Sequence, residues 1–319
     1  MSEAGPLLAC LSAYDEALVR ELAGTDAIRI RIASGSGSVE ELHDLVAEAD
    51  LVIADAARRY VLDAPAIAAM SRCRFIQQPA VGYDSIDVDQ AARQGIPVAN
   101  TPGSNAAAVA DWVVMATLNV LRDGVAADRS LHERRAYAAG LGAELGALTV
   151  GLVGAGAVAR QVAERLRGFG SEVLHTSRRP TELPGSHAVG FGELLERADV
   201  VSLHLPLTAQ TRNLLGPAEF ARMRPGSILV NSARGGLVDA DALVAALSTG
   251  RPAAAALDVF EPEPLPLDSP LRGLGNVYLS PHIAANSHQA RARVRRAVGE
   301  NLRRVLAGEA PVNVVNSVR

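Results

Sequence analysis

Two α/β domains, each built on a doubly wound parallel sheet, are the fold that this sequence predicts. Three observations carry the prediction. A length of 319 residues exceeds what one hydrophobic core usually serves. Short β-branched apolar runs alternate with helix-length segments in two successive series, which is how parallel sheets wrapped by helices read in sequence. The second series opens on a glycine-rich turn between an apolar run and a helical pattern, the local signature of a nucleotide-binding strand–turn–helix unit.

In the first series the apolar runs are LLACLSA, IRIRIA, DLVIAD, RFIQQPA and IPVAN, with helical patterns between them such as Ser38 to Ala49. Thr101-Pro102-Gly103 breaks the alternation, and a long apolar helix follows from near Ser104 or Asn105 to Arg122. The second series is TVGLVG, EVLHTS, VVSLHLP, SILVNSA, AAAALDVF and VYLSPH, which makes six strand candidates. After His282 a charged helix, Gln289 to Leu306, has the length to pack back on the first domain. The predicted division is therefore a discontinuous domain of residues 1–101 and 286–319, with residues 102–285 inserted as the dinucleotide-binding domain.

Composition narrows the function classes. Apolar residues are 49% and charged residues 21% of the chain, an ordinary globular balance. A net charge of -4 and no basic run with interleaved aromatics argue against nucleic acid as a partner. All 31 basic residues are arginine, so Schiff-base chemistry and a P-loop lysine are both excluded. Cys10 and Cys73 stand far apart without metal-ligand spacing, which fits free thiols in a reducing compartment and no metal site. The amino-terminal stretch leads with an acid rather than a base, unlike a signal peptide, so a cytoplasmic location is expected. Asn105 to Leu121 is weakly charged but shorter than the roughly 20 apolar residues that a membrane span requires. A buried helix at a domain or subunit interface is the expectation there.

Within TVGLVGAGAVARQVAERL the strand ends at Gly154-Ala155-Gly156 and the helix opens at once, with Ala159 where a third glycine often stands. Small residues are needed because the backbone must turn sharply and let a pyrophosphate approach the uncapped amides of the helix N-terminus. Arg160 could add a positive side chain beside it. The strand EVLHTS then ends in Ser177-Arg178-Arg179 instead of the acid that usually bonds the adenosine ribose in NAD-dependent proteins. A carboxylate would repel a 2′-phosphate, whereas a hydroxyl and two guanidiniums bind it, so NADP is favoured over NAD.

Ligands of open α/β sheets bind beyond the carboxyl ends of the strands. There the second series is unusually polar: Arg234 follows SILVNSA, Asp258 and Glu261 to Glu263 end and follow AAAALDVF, and His282 follows VYLS. Singly these read as a turn cation, a solvent-facing acid in a proline-rich loop and a strand-end histidine. Together they are an anion clamp, an orienting carboxylate and a proton donor, the parts that carbonyl reduction needs.

With these residues in view, the chain resembles the D-isomer-specific 2-hydroxyacid dehydrogenases of the glyoxylate and hydroxypyruvate reductase kind. The resemblance covers nearly the whole length through AVGYDSIDV, NTPGSNAAAVADW, VGLVGAGAVAR, HLPLTAQTRNLL, MRPGSILVNSARGGLVD, LDVFEPEP and SPHIAA, in that order. It implies a Rossmann domain inserted in a flavodoxin-like substrate domain, a homodimer with the helix near Asn105 to Arg122 at the interface, and a small 2-keto acid as substrate in the interdomain cleft. By the same resemblance Arg234 holds the substrate carboxylate together with the amides around Val81 and Gly82, His282 donates the proton, and Glu263 orients the imidazole and raises its pKa. The implied cofactor contacts are Gly154, Gly156, Ala157 and Val158 at the turn, Ser177, Arg178 and Arg179 after the second strand, and Leu205, Pro206 and Thr211 after the third. Ser232, Ala233 and Arg234 follow the fourth strand, Asp258 meets the nicotinamide carboxamide, and His282 completes the set.

Three departures from the family pattern stand out: Ser177 for the ribose-binding acid, Asp111 where glutamate is frequent, and Ala159 for the third glycine. The region Arg129 to Ala147 also lacks a tryptophan often found before the glycine-rich strand. Rival readings are an aryl-pyruvate reductase, a phosphite, formate or phosphoglycerate dehydrogenase relative, and a nucleotide-sensing corepressor that keeps the fold as a binding module. Arg58 and Arg59 either select a second acidic group on the substrate or face water.

Overall fold

The computed structural model describes residues 5–136 and 140–318, in two compact units, one of residues 5–105 and 287–318 and the other of residues 106–286 with 137–139 set aside. The acidic lead read at the amino terminus and part of the Arg129 to Ala147 region lie outside the described residues.

The first unit begins with strand β1 (Leu7–Cys10), helix α1 (Glu16–Ala23), β2 (Arg29–Ile32), α2 (Val39–Val46) and β3 (Leu51–Ile53). It continues through α3 (Ala64–Ala68), β4 (Ile76–Gln77), α4 (Val88–Arg93) and β5 (Val98–Ala99). Its helices start where the sequence supplies a side-chain cap: Asp15 accepts from the Leu18 amide, Ser38 from Glu41 and Asp87 from Gln90. The five strands are all parallel in the order β2-β1-β3-β4-β5, the flavodoxin-like order.

The second unit runs α5 (Ala106–Arg122), α6 (Gly124–His132), β6 (Thr149–Val153), α7 (Ala157–Phe169), β7 (Glu172–Thr176), β8 (His187–Ala188) and α8 (Phe191–Arg197). It then adds β9 (Val200–Leu203), α9 (Pro217–Arg222), β10 (Ile228–Asn231), α10 (Ala240–Thr249), β11 (Ala254–Leu257) and β12 (Val277–Leu279). The chain returns to the first unit as α11 (His288–Leu306). Val298, Leu302 and Val305 of α11 pack with Leu8, Cys10, Val19 and Leu22 on one face of the five-stranded sheet.

The second sheet has the order β12-β11-β10-β9-β6-β7-β8, with every pairing parallel. It grows outward from β6 through β7 and β8, then restarts on the other side of β6 with β9, so the topological switch point lies between β6 and β9. Both faces are covered. Val109, Trp112, Val113 and Ala116 of α5 pack with Val162 and Leu166 of α7 against one, and Leu194, Phe220, Leu243 and Leu247 pack against the other.

The doubly wound parallel fold is as predicted, but its second sheet has seven strands where six were expected. The additional strand, β8, is two exposed residues on the sheet edge, paired to β7 at Leu174↔His187. So short an edge is held by backbone bonds alone and leaves no apolar run to read. The helix expected over Ser38 to Ala49 is shorter: Ser38 is its cap and not its first turn, and it stops at Val46 with Ala47 closing its last turn. No helix among the described residues is long and apolar enough to cross a membrane.

Candidate active site

One row of residues sets the level of the site across the second sheet. Thr176, Val153, Leu203, Asn231, Leu257 and Leu279, from six adjacent strands, are in register with one another. Ser177, Gly154, His204, Ser232, Asp258 and Ser280 are the next residues along each strand, so the six loops leave the sheet at one edge. The predicted cofactor and catalytic residues of this unit lie on those loops, apart from Ala157 and Val158, which open helix α7 directly after the first of them.

At the β6–α7 turn Gly154 has φ 115° and a Cβ there would come 2.5 Å from the His204 carbonyl oxygen, so only glycine fits. Gly156, the N-cap of α7, faces open space and provides no side-chain cap, so the first amides of the helix have no capping partner from it. Ala157 is exposed beside it and Val158 half-buried. That open, uncapped helix start fits a pyrophosphate. Ser232 Oγ is a second fitting feature, buried without a hydrogen-bond partner at the end of β10. Leu205 approaches within 3.2 Å of the Gly154 Cβ position, and Thr211 Oγ1 donates to the Pro206 carbonyl at 2.7 Å while accepting from the Thr208 amide at 2.8 Å. Ala233 donates its amide to Asn231 Oδ1 at 3.0 Å. After β7, Ser177 Oγ donates to the Arg179 carbonyl at 2.6 Å, which tightens the turn. Arg178 and Arg179 are exposed and have no ion-pair partner among the described residues. Arg160 is exposed and donates to the Glu182 carbonyl at 3.4 Å.

The three residues read from the sequence as a catalytic set, Arg234, Glu263 and His282, lie on the loops after three neighbouring strands. Arg234 is half-buried, and Asn231 wraps its turn by donating to the Arg234 carbonyl at 2.8 Å. His282 Nδ1 is 2.8 Å from Glu263 Oε2, and the Phe260 amide donates to Glu263 Oε1 at 2.9 Å. The carboxylate thus holds Nδ1 and leaves Nε2 of the imidazole for other work. His282 itself has φ 54°, a backbone conformation that needs external support in a non-glycine residue.

That support is Asp258, which is 0% exposed. Its Oδ1 accepts from Ser280 Oγ at 2.5 Å and the Ile283 amide at 2.8 Å, and its Oδ2 from the Ala284 amide at 2.7 Å. Its carbonyl accepts from the His282 amide at 2.8 Å. The indole of Trp112 in α5 donates to Ser280 Oγ at 3.1 Å. Ser280 and Trp112 are hydrogen-bonded neighbours of this loop that sequence reasoning missed, although both stand inside motif segments. No group of three metal-binding side chains occurs among the described residues.

In the first unit, Val81 and Gly82 sit on the loop after β4, both half-buried. The Val81 carbonyl accepts from Asn100 Nδ2 at 2.7 Å and the Gly82 carbonyl from Gln78 Nε2 at 2.8 Å. With both carbonyls tied, the loop's peptide planes are held. Arg58 pairs with Asp84 at 3.0 Å and Arg59 with the buried Asp55 at 3.3 Å, so each guanidinium meets an acid of its own unit.

Residues 114–284 match the family description "D-isomer specific 2-hydroxyacid dehydrogenase, NAD binding domain". The chain is 42% identical over 265 residues to a glyoxylate reductase of Korarchaeum cryptofilum, covering 80% of each protein. It is 38% identical over 263 residues to a D-3-phosphoglycerate dehydrogenase of Archaeoglobus fulgidus, covering 80% of this chain but 49% of that protein. The crystal structure of a glyoxylate reductase from Paecilomyes thermophila superposes with a TM-score of 0.89 at 28% identity, over 98% of both chains. A glycine turn fitted to a dinucleotide, a histidine–carboxylate pair at the same sheet edge and these likenesses lead to one conclusion: the chain belongs to the D-isomer-specific 2-hydroxyacid dehydrogenases, NAD(P)-dependent oxidoreductases that interconvert 2-keto and 2-hydroxy acids.

Proposed function

We propose that the protein is an NADPH-preferring reductase of a small 2-keto acid, glyoxylate or hydroxypyruvate, with Arg234, Glu263 and His282 as its catalytic set. The observation that carries this reading is the 2.8 Å contact between His282 Nδ1 and Glu263 Oε2 on the loops beside Arg234. When bound, the nicotinamide supplies a hydride to the keto carbon. The protein does the rest. His282 delivers a proton from Nε2 to the oxygen as it becomes an alkoxide, and takes one up there in the oxidation direction. Glu263 fixes the ring orientation by holding Nδ1, so that Nε2 is the atom presented for proton transfer. Arg234 binds the substrate carboxylate and polarises the carbonyl through a fixed guanidinium fork. The amides of Val81 and Gly82 are assigned to the same carboxylate by the family resemblance.

Gly154, Gly156, Ala157, Val158, Leu205, Pro206, Thr211, Ser232 and Ala233 are the proposed dinucleotide contacts. Ser177, Arg178 and Arg179 take its 2′-phosphate, a reading supported by two exposed guanidiniums without ion-pair partners among the described residues. Asp258 stays in the cofactor set for its place at the end of β11, and it also holds the His282 loop. A small monocarboxylate is favoured because Arg58 and Arg59 are matched by Asp84 and Asp55. A cytoplasmic homodimer assembled through α5 completes the proposal, supported by Met115, which is 40% exposed on that helix beside the partly buried Val114 and Leu118.

The test is a spectrophotometric plate that follows loss of NADPH and, separately, NADH against glyoxylate, hydroxypyruvate, pyruvate, phenylpyruvate and 2-ketoglutarate. Fast turnover of the two smallest hydrophilic acids with NADPH supports the assignment. Cofactor binding without turnover of any keto acid rejects it.

A further inference from the structure

Helix α11 is out of keeping with the charge of the chain. It carries Arg291, Arg293, Arg295, Arg296, Arg303 and Arg304 against the single acid Glu300, in a protein whose net charge is -4. Its first turn holds no acid, so the amino-terminal half of the helix adds cations where the helix dipole is already positive. Arg291 and Arg295 are also four residues apart, a spacing at which like charges repel. Folding alone does not favour this arrangement.

Several surface arginines elsewhere are matched to acids, among them Arg20 to Glu16, Arg165 to Asp111, Arg197 to Glu193, Arg222 to Glu196 and Arg224 to Asp199. Arg295 and Arg296 are exposed and have no such partner among the described residues. They line a groove between α1 and α11 with Arg291, Arg303, His288 and Glu21, and its volume is about 470 Å³. Arg295 and Arg296 thus bring two exposed guanidiniums to a groove whose lining contains one carboxylate, Glu21. Arg303 is held in place by donating Nη1 to the Leu22 carbonyl at 2.9 Å, so part of the cationic wall is already ordered.

We propose that this groove binds a small, multiply charged anion of the phosphate-ester or polyphosphate class. Guanidiniums present paired donors that match phosphate oxygens, and convergence of several of them is how such anions are recognised without a metal. The volume suits a small molecule. A nucleic acid is disfavoured, because no aromatic side chain lines the groove and the chain as a whole is acidic. The site belongs to the first unit and uses none of the residues assigned to catalysis or to the dinucleotide.

The experiment is a calorimetric titration of the full chain with inorganic pyrophosphate at constant ionic strength. It is done in an Arg178→Ala, Arg179→Ala background, so that the guanidiniums assigned to the cofactor's 2′-phosphate do not contribute. The expected result is saturable binding in that background, weakened at least tenfold when Arg295→Gln and Arg296→Gln are added. The circular dichroism spectrum should stay unchanged, and the same two substitutions in the otherwise native chain should leave keto-acid reduction intact. No saturable binding at millimolar pyrophosphate, or equal binding with and without the α11 substitutions, overturns the proposal. Neither result depends on which keto acid the enzyme reduces.

Discussion

Ser280 Oγ lies 2.5 Å from Oδ1 of Asp258, and this bond joins the buried end of one strand to the loop that carries His282. The same carboxylate accepts from the amides of Ile283 and Ala284, the two residues after the histidine. A buried charge with these partners is well solvated by the protein, while losing one of them leaves a costly unsatisfied group. The left-handed backbone of His282 is therefore held by hydrogen bonds that do not touch the reacting atoms.

Ser280→Ala is expected to lower stability by roughly 1–3 kcal/mol and to reduce kcat more than it changes KM, because the Trp112 indole and Asp258 both lose a partner. Ser280→Thr, which keeps the hydroxyl, should recover much of the loss. Denaturant melts together with steady-state kinetics on the three proteins check this. Equal kcat in Ser280→Ala and the native enzyme would remove the loop from the mechanism.

Replacing His282 by alanine should cut reduction of every accepted keto acid by roughly 10²–10⁴-fold, the usual contribution of a general acid. NADPH affinity, read by fluorescence, should change far less. Glu263→Gln keeps the shape but removes the charge opposite Nδ1, and a fall in kcat of roughly tenfold or more is expected. Near-native turnover in His282→Ala would move the proton donor to another group.

For the paired guanidiniums after β7, Arg178→Ala with Arg179→Ala should lower the NADPH-to-NADH ratio of kcat/KM at least tenfold, about 1.4 kcal/mol in differential binding. The loss should appear mainly in KM for NADPH, since the 2′-phosphate is remote from the reacting carbon. An unchanged ratio would mean that the pair is only a solvated surface.

His204 gives a pH prediction. Its Nε2 is buried without a hydrogen-bond partner, and burial pushes the imidazole pKa down from 6.5 to about 4. Between those values the unfolded chain binds a proton that the folded protein does not, so this contribution to stability is intact above pH 6.5 and is lost as pH falls toward about 4. His204→Gln should flatten the stability–pH curve in that window by up to ~1.4 kcal/mol per pH unit. Chemical denaturation at half-unit pH steps tests the slope, and an identical slope in the variant counts against a neutral buried imidazole.

Much of the site was legible in the linear chain because its chemistry is local. The turn at Gly154 needs a glycine for one close contact with a carbonyl, and such requirements are written at single positions. Arg234, Glu263 and His282 could be grouped because each follows an apolar run and parallel strands send their loops to one edge. Ser280 and Trp112 were not legible as partners, since 168 residues separate them and neither forms a periodic pattern with the other. Strand β8 was missed for a related reason: a two-residue exposed edge has no periodicity.

By itself, then, the sequence determined the doubly wound α/β class, the dinucleotide turn and the membership of a 2-hydroxyacid dehydrogenase family. Alternating burial and turn chemistry are short-range properties, and each residue reports its own. Only the tertiary structure decided that β10, β11 and β12 are neighbours in register, that Asp258 is wholly buried and braces the His282 loop, and that Arg58 and Arg59 are matched by Asp84 and Asp55. Those are choices of partner among distant groups, and they are made by packing and hydrogen-bond satisfaction once the whole chain has folded.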